Sequence, residues 1–208
     1  WNTSFVGLDV SLGSATLRSF TGLDVGLVNY VAGSFVGVDI GGLNVINGNL
    51  NGVALGFLNV VLKDSKGAYV GVLNRSEGDF NGVAFGLVNK FQGDSKGVLV
   101  GGINWIGNYH PDSIEGGVVG VLNVAHTLKG FSFGLINMYE REYGFSLGLC
   151  NVVGTQGGNY FNIGLLNVDC SKPWWKAFTP FFGFSRGNDN LESKLLEDKS
   201  NSSSSNLC

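Results

Sequence analysis

A fifteen-residue repeat runs through most of this chain and limits what it can fold into. Four consecutive blocks without insertions cover residues 45–104, and each block holds a glycine, three residues, a second glycine, two apolar residues and an asparagine. The closing asparagines of these blocks are Asn59, Asn74, Asn89 and Asn104. Imperfect copies extend the pattern from Ser4 to Asn167, for about eleven blocks in all. Self-similarity at a fixed period is the signature of a repeat architecture.

Within a block, apolar residues alternate with small ones. Val83 and Phe85 flank Ala84, for example, and this period of two predicts a strand. We expect the apolar pair to face the core and the small residue to face the opposite side. No block has a helical period, so we expect almost no helix. Glycine alone tolerates positive φ without steric cost. We therefore expect Gly86 to occupy a positive-φ bend or a tight coil corner.

Two all-β architectures fit the repeat. In a β-solenoid of about eleven coils, each block is one coil, stacked about 4.8 Å from the next, and the asparagines form a column that bonds amide to amide. In an up-and-down β-barrel, each block is one strand and its turn. A thirty-residue period, in which KDSKGAYVGVLN resembles GDSKGVLVGGIN, supports the barrel. The apolar stretch of each block is short for a membrane barrel's band of roughly 25 Å. The sequence therefore favours the solenoid and leaves the barrel as the alternative.

The composition predicts three regions. Residues 1–169 are the repeat domain. Residues 170–187 contain four phenylalanines and the pair Trp174 and Trp175, and we expect this segment to be an aromatic cap over the open edge of the last coil. Such a tryptophan pair could instead stack on sugars. Residues 188–208 are polar, and the composition predicts a disordered tail.

Charge and reactive side chains argue against several functions. The net charge is -3 and there is no basic patch, so we expect no nucleic-acid partner. The three cysteines, Cys150, Cys170 and Cys208, have neither a disulfide nor a zinc pattern. No catalytic constellation can be drawn around the two histidines, His110 and His126. We expect that the protein is not an enzyme and uses no catalytic cofactor.

One candidate site involves three aspartates at fifteen-residue spacing. Asp9, Asp24 and Asp39 each lie between the two apolar strand residues of their block. Period two predicts that all three point away from the core, in a column with neighbours about 5 Å apart. Like charges at this distance repel, and oxygen ligands of this kind suit calcium. The column is therefore a candidate calcium site, with three solvated acids on a wet face as the alternative.

The iterated string G-x-x-x-G-[LVF]-[LVI]-N between Ser4 and Asn167 resembles the repeat of a family of bacterial surface-repeat proteins. The aromatic end, residues 180–184, is similar to the end of those chains. The resemblance implies secretion or display at the cell surface and no catalytic residues. We expect a structural or adhesive scaffold whose partner is itself or a host or cell-surface ligand. The alternative is a small outer-membrane β-barrel that serves as a pore or anchor and contacts the membrane.

Overall fold

The computed structural model describes residues 4–16, 18–107 and 112–186. Its described part is almost entirely β-strand, with a single four-residue helix, as the missing helical period predicts. The elements are β1 Ser4–Val10, β2 Gly13–Thr16, β3 Ser19–Val31, β4 Phe35–Ile46, β5 Leu50–Val61, β6 Ser65–Ser76, β7 Phe80–Phe91, β8 Ser95–Ile106, β9 Ser113–Leu147, β10 Cys150–Asp169, α1 Trp174–Ala177 and β11 Phe178–Ser185.

Successive coils pair in parallel and in register. Gly67 of β6 pairs with Gly82 of β7, and Asn74 pairs with Asn89, so like residues stack on like. Parallel pairing continues from β1 to β10, with a register shift between Val153 and Gly157 where β10 pairs with β9. The fold is a β-solenoid of about ten turns. The up-and-down barrel is wrong, because that architecture requires antiparallel neighbours.

The direction of the alternating side chains is the reverse of the prediction. Ala84 is buried in the interior, whereas Val83 and Phe85 on either side of it are 37% and 46% exposed. Period two separates the two faces of a strand but does not say which face is enclosed. The column of asparagines already occupies part of a narrow coil, so the interior takes the small residue and the larger apolar pair lies outside.

Successive coils fill the interior with alternating volumes. In β6 the large Tyr69 lies between two serines, Ser65 and Ser76. The Tyr69 hydroxyl donates to Ser65 Oγ at 2.7 Å, and Ser65 Oγ lies 2.8 Å from Ser76 Oγ. In β7 the same three positions hold Phe80, Ala84 and Phe91, and the two phenylalanine rings stack with centroids 4.4 Å apart. From β5 to β8 the central residue and the interior residue before it alternate in size in opposite senses, as in Ala54 after Leu50, Tyr69 after Ser65, Ala84 after Phe80 and Leu99 after Ser95.

The two glycine columns are required for different reasons. Gly82, in the first column, has φ 152°, and a Cβ there would lie 1.8 Å from Gly67 O. Gly86, in the second column, is not among the glycines with positive φ, contrary to one of the two predicted possibilities. A Cβ on Gly86 would lie 2.7 Å from both Asn74 Nδ2 and Gly71 O. The first column therefore satisfies a backbone conformation, and the second leaves room for the asparagines.

The aromatic segment ends the stack in a different orientation. β11 pairs antiparallel with β10, so it covers the edge that β10 would otherwise present. Its side chains are largely outside: Phe181 is 61% exposed and Phe184 is 71% exposed. Trp174 and Trp175 in α1 are also exposed and meet edge to face. The whole predicted disordered tail, residues 188–208, lies outside the described residues, as does Gly187.

Candidate functional site

A continuous asparagine ladder runs inside the coils and confirms the predicted column. Asn59 Nδ2 donates to Asn74 Oδ1 at 2.9 Å, and Asn74 Nδ2 donates to Asn89 Oδ1 at 2.8 Å. The same Asn74 Nδ2 also donates to the backbone oxygen of Phe85 at 2.9 Å. These side chains are buried, and both the amide oxygen and the amide nitrogen of Asn74 take part in hydrogen bonds. The ladder therefore holds the coils together rather than binding a ligand. Its members are Asn29, Asn44, Asn59, Asn74, Asn89, Asn104, Asn123, Asn137, Asn151 and Asn167.

The three aspartates do form a column, but it points into the coil. Asp24 pairs with Asp9 on one side and with Asp39 on the other. Asp24 and Asp39 are fully buried, so the prediction that they face away from the core is wrong. The reason is the inverted alternation described above: these aspartates occupy the interior position that Ala54 takes in the next coil.

Polar neighbours from the ladder column stabilise the buried carboxyl groups. Ser14 Oγ donates to Asp24 Oδ2 at 2.7 Å, and Asn29 Nδ2 donates to Asp39 Oδ1 at 2.6 Å. Burial raises the pKa of Asp39 to about 7, despite the hydrogen bond from Asn29. Burial also raises the pKa of Asp24. A protonated carboxyl group can therefore relieve the repulsion that the sequence suggested a cation would relieve.

Metal-binding geometry is absent from the described residues: no group of three or more His, Cys, Asp or Glu side chains there could hold a metal ion. The calcium hypothesis for Asp9, Asp24 and Asp39 stays a prediction. It now concerns the interior of the first coils instead of a wet outer face.

A second buried acid lies near the other end of the solenoid, and sequence reasoning missed it. Glu142 occupies the interior column that begins with Phe20 and Phe35, and it is fully buried. Ser146 Oγ donates to its Oε1 at 2.5 Å and Asn162 Nδ2 donates to its Oε2 at 2.9 Å. Burial raises the pKa of Glu142. The glycines Gly116, Gly130 and Gly144 follow one another at fourteen residues instead of fifteen, and aligning the blocks by these glycines would have placed Glu142 in this column.

Among the reactive side chains of the described residues, His126, Glu140 and Cys170 line one open cavity together with Arg141. His126 is half-buried in β9, and His110 lies outside the described residues. Cys150 and Cys170 are free thiols. No helix in the described ranges is long and apolar enough to cross a membrane.

A long row of exposed apolar side chains lies on the outer surface of the coils. Three alternate positions of each coil, occupied in β7 by Val83, Phe85 and Leu87, point outward from one straight strand segment. We call the three resulting columns the apolar face. From Leu8 to Leu165 these columns contain only apolar residues and glycine. Phe57, the most exposed member within the parallel coils β3 to β10, is 74% exposed.

Aromatic rings continue the apolar face toward the C-terminal end. The ring centroids of Phe133 and Phe145 lie 6.0 Å apart, those of Phe145 and Phe161 6.1 Å apart, and those of Phe161 and Phe182 6.3 Å apart. The last contact joins β10 to β11, so the terminal strand extends the same face. Sequence reasoning assigned these outward residues to the core, which is why it did not find this surface.

Charged residues border the apolar face in the column that precedes the first glycine. Lys96 Nζ lies 3.2 Å from Glu115 Oε2, and Lys129 Nζ lies 3.0 Å from Glu115 Oε1. The hydrogen bonds from Lys129 and Lys96 lower the pKa of Glu115. The same column also holds Lys66, so this border carries three lysines and one glutamate.

The fold and this surface define a parallel β-solenoid with a polar interior ladder and an uncharged outer face. Comparisons with models of known protein families, with curated proteins and with solved structures found no match. The resemblance to bacterial surface-repeat proteins therefore stays a prediction.

Proposed function

We propose that the protein is a non-enzymatic structural or adhesive scaffold, secreted or displayed at a cell surface. The observation that carries this proposal is the apolar face, because monomeric soluble proteins rarely expose contiguous apolar patches larger than about 300–600 Å². A surface of this kind indicates a binding role. The rigid parallel stack beneath it would hold that surface in a fixed shape.

The interior supports a scaffold more than a catalyst. The buried asparagines donate hydrogen bonds to one another and to backbone oxygens. The carboxyl groups of Asp24, Asp39 and Glu142 are enclosed in the same interior. Enclosed groups of this kind stabilise a coil and do not meet a substrate. The alternative of a pore or anchor required an up-and-down barrel, whereas the coils of this chain pair in parallel.

Two measurements test the proposal. Cells that express an epitope-tagged chain should release the tag into the medium, or lose it when the intact cells are treated with a protease. A tag that stays protected inside intact cells would exclude surface display and secretion.

The adhesive role is tested separately with protein-coated wells. Cells should adhere to wells coated with the native protein and adhere at least several-fold less to wells coated with Phe57→Glu, which places a charge on the apolar face. Asn81→Glu is the matched control, since Asn81 is exposed but lies outside that face. Equal adhesion to all three coatings would contradict a role for the apolar face.

A further inference from the structure

We propose that two copies of this chain associate through their apolar faces, sheet against sheet. The inference rests on the proposed function, since it names a second copy as the first partner of the surface that carries that function. Two features of the face support a second copy: its area and its regular spacing.

The area matches that of a stable dimer. Eleven coils about 4.8 Å apart and three alternate strand positions give a face roughly 50 Å long and, with side chains, roughly 18 Å wide, on the order of 900 Å². A stable protein interface buries about 800 Å² on each partner. One complete face therefore provides enough area for one specific partner.

The regular spacing of the face favours a partner with the same spacing. In-register pairing stacks each outward side chain on its equivalent, as Val70 on Phe85 and Phe85 on Val100. A second copy presents rows with an identical rise, so ridges of one face can fit the grooves of the other along the whole length. Sheets pack face to face in this way at about 10 Å, with interdigitating side chains.

A lipid surface is the competing partner, because surfaces that lie on anionic membranes carry lysine beside their apolar residues. The border column here holds Lys66, Lys96 and Lys129 and a single acid, Glu115. The regular spacing of the face favours a second copy, because a lipid surface presents no rows with a matching rise.

Phe85 is the most informative residue for a test. It lies in the middle column and at the sixth of eleven described positions in that column. The centre of a face coincides with its own counterpart in any fully overlapping twofold arrangement. A charge at Phe85 would therefore meet the same charge on the partner and would have no solvent around it.

The test is the mass of the purified full chain in detergent-free buffer, measured by sedimentation velocity over a concentration series. We expect a dimer for the native chain, for Phe85→Leu and for Asn81→Glu, and a dimer dissociation constant raised at least 100-fold for Phe85→Glu. Circular dichroism confirms that each variant is folded. If Phe85→Glu does not fold, Phe57→Glu replaces it, because that side chain is already 74% exposed.

A native chain that stays monomeric at all concentrations overturns the proposal, and so does a dimer that persists in folded Phe85→Glu. A monomer that floats with phosphatidylcholine vesicles would identify a lipid surface as the partner and would also overturn it. These measurements use purified protein without cells, so they can fail while the tag and adhesion tests succeed, and the reverse.

Discussion

Replacing one rung of the asparagine ladder should destabilise the whole solenoid. Asn74→Ala removes three hydrogen bonds: one accepted from Asn59 at 2.9 Å, one donated to Asn89 at 2.8 Å and one donated to the oxygen of Phe85 at 2.9 Å. Each bond contributes about 1 kcal/mol net, and a stranded buried acceptor costs a further 1–3 kcal/mol or so. We expect the free energy of unfolding to fall by about 4–6 kcal/mol.

The measurement is urea denaturation followed by circular dichroism, with thermal melts as a second probe. A loss of about 4 kcal/mol corresponds to a melting temperature lower by about 8–16 °C for a chain of this size. Asn81→Ala is the matched control, because it makes the same chemical change at an exposed position of the neighbouring coil. We expect that variant to stay within about 0.5 kcal/mol of the native chain.

A double substitution tests whether the rungs act as one ladder. Asn74 and Asn89 share one hydrogen bond, so the double variant loses that bond once, whereas each single variant also loses it. The summed single effects should therefore exceed the double effect by about 1 kcal/mol. Additive effects, or a single-variant loss no larger than that of Asn81→Ala, would refute the reasoning.

Four further predictions concern the glycines, the acids and the last strand. Gly86→Val should lower the melting temperature markedly, because its side chain would displace Asn74, while Gly102→Ala, on the outer face, should cost less. The folded pKa of Asp39, about 7, exceeds its ordinary value of 3.8. The stability that protonated Asp39 provides is thus complete below about pH 3.8 and is lost as the pH rises through 7. Asp39→Asn should flatten this decline in urea titrations at successive pH values. Millimolar calcium should raise the melting temperature of the native chain more than that of Asp24→Asn, and equal shifts would remove the cation site. Removing residues 170–208 should uncover the edge of β10 and cause aggregation, and a soluble monomer would contradict a capping role.

The repeat period was enough to predict the architecture because a parallel solenoid stacks each residue on its equivalent. The position of the asparagines predicted the ladder for the same reason: a buried amide needs partners, and its copy in the next coil is always the nearest. What the pattern did not contain was the direction of the side chains. Alternation is symmetrical between inside and outside, and hydrophobicity assigned Val83 and Phe85 to the core when they form the surface.

That one error explains both mistakes about the candidate site. If the small residue of each block faces inward and the apolar pair faces outward, Asp24 and Asp39 lie in the interior instead of on a solvent-exposed face. The same change moves Phe85 and its equivalents out of the core and creates the apolar face. A clue was present in the glycines: a second glycine two residues after Ala84 lies on the same side as Ala84, and glycine is needed where the asparagines approach. The enclosed side is thus the one that carries the small residues.

The thirty-residue period has the same physical origin as the interior packing. The sequence suggested that it reflects strands of alternating direction, but all neighbouring coils from β1 to β10 are parallel. What alternates is volume: Tyr69 between two serines in one coil, then Ala84 between two phenylalanines in the next. A coil of fixed length encloses a nearly constant cross-section, so its inward side chains must add up to a nearly constant volume. Tyr69 fills that cross-section from the centre and the phenylalanines fill it from the flanks. From β5 to β8 these two solutions alternate, which gives a period of two coils without any change of strand direction.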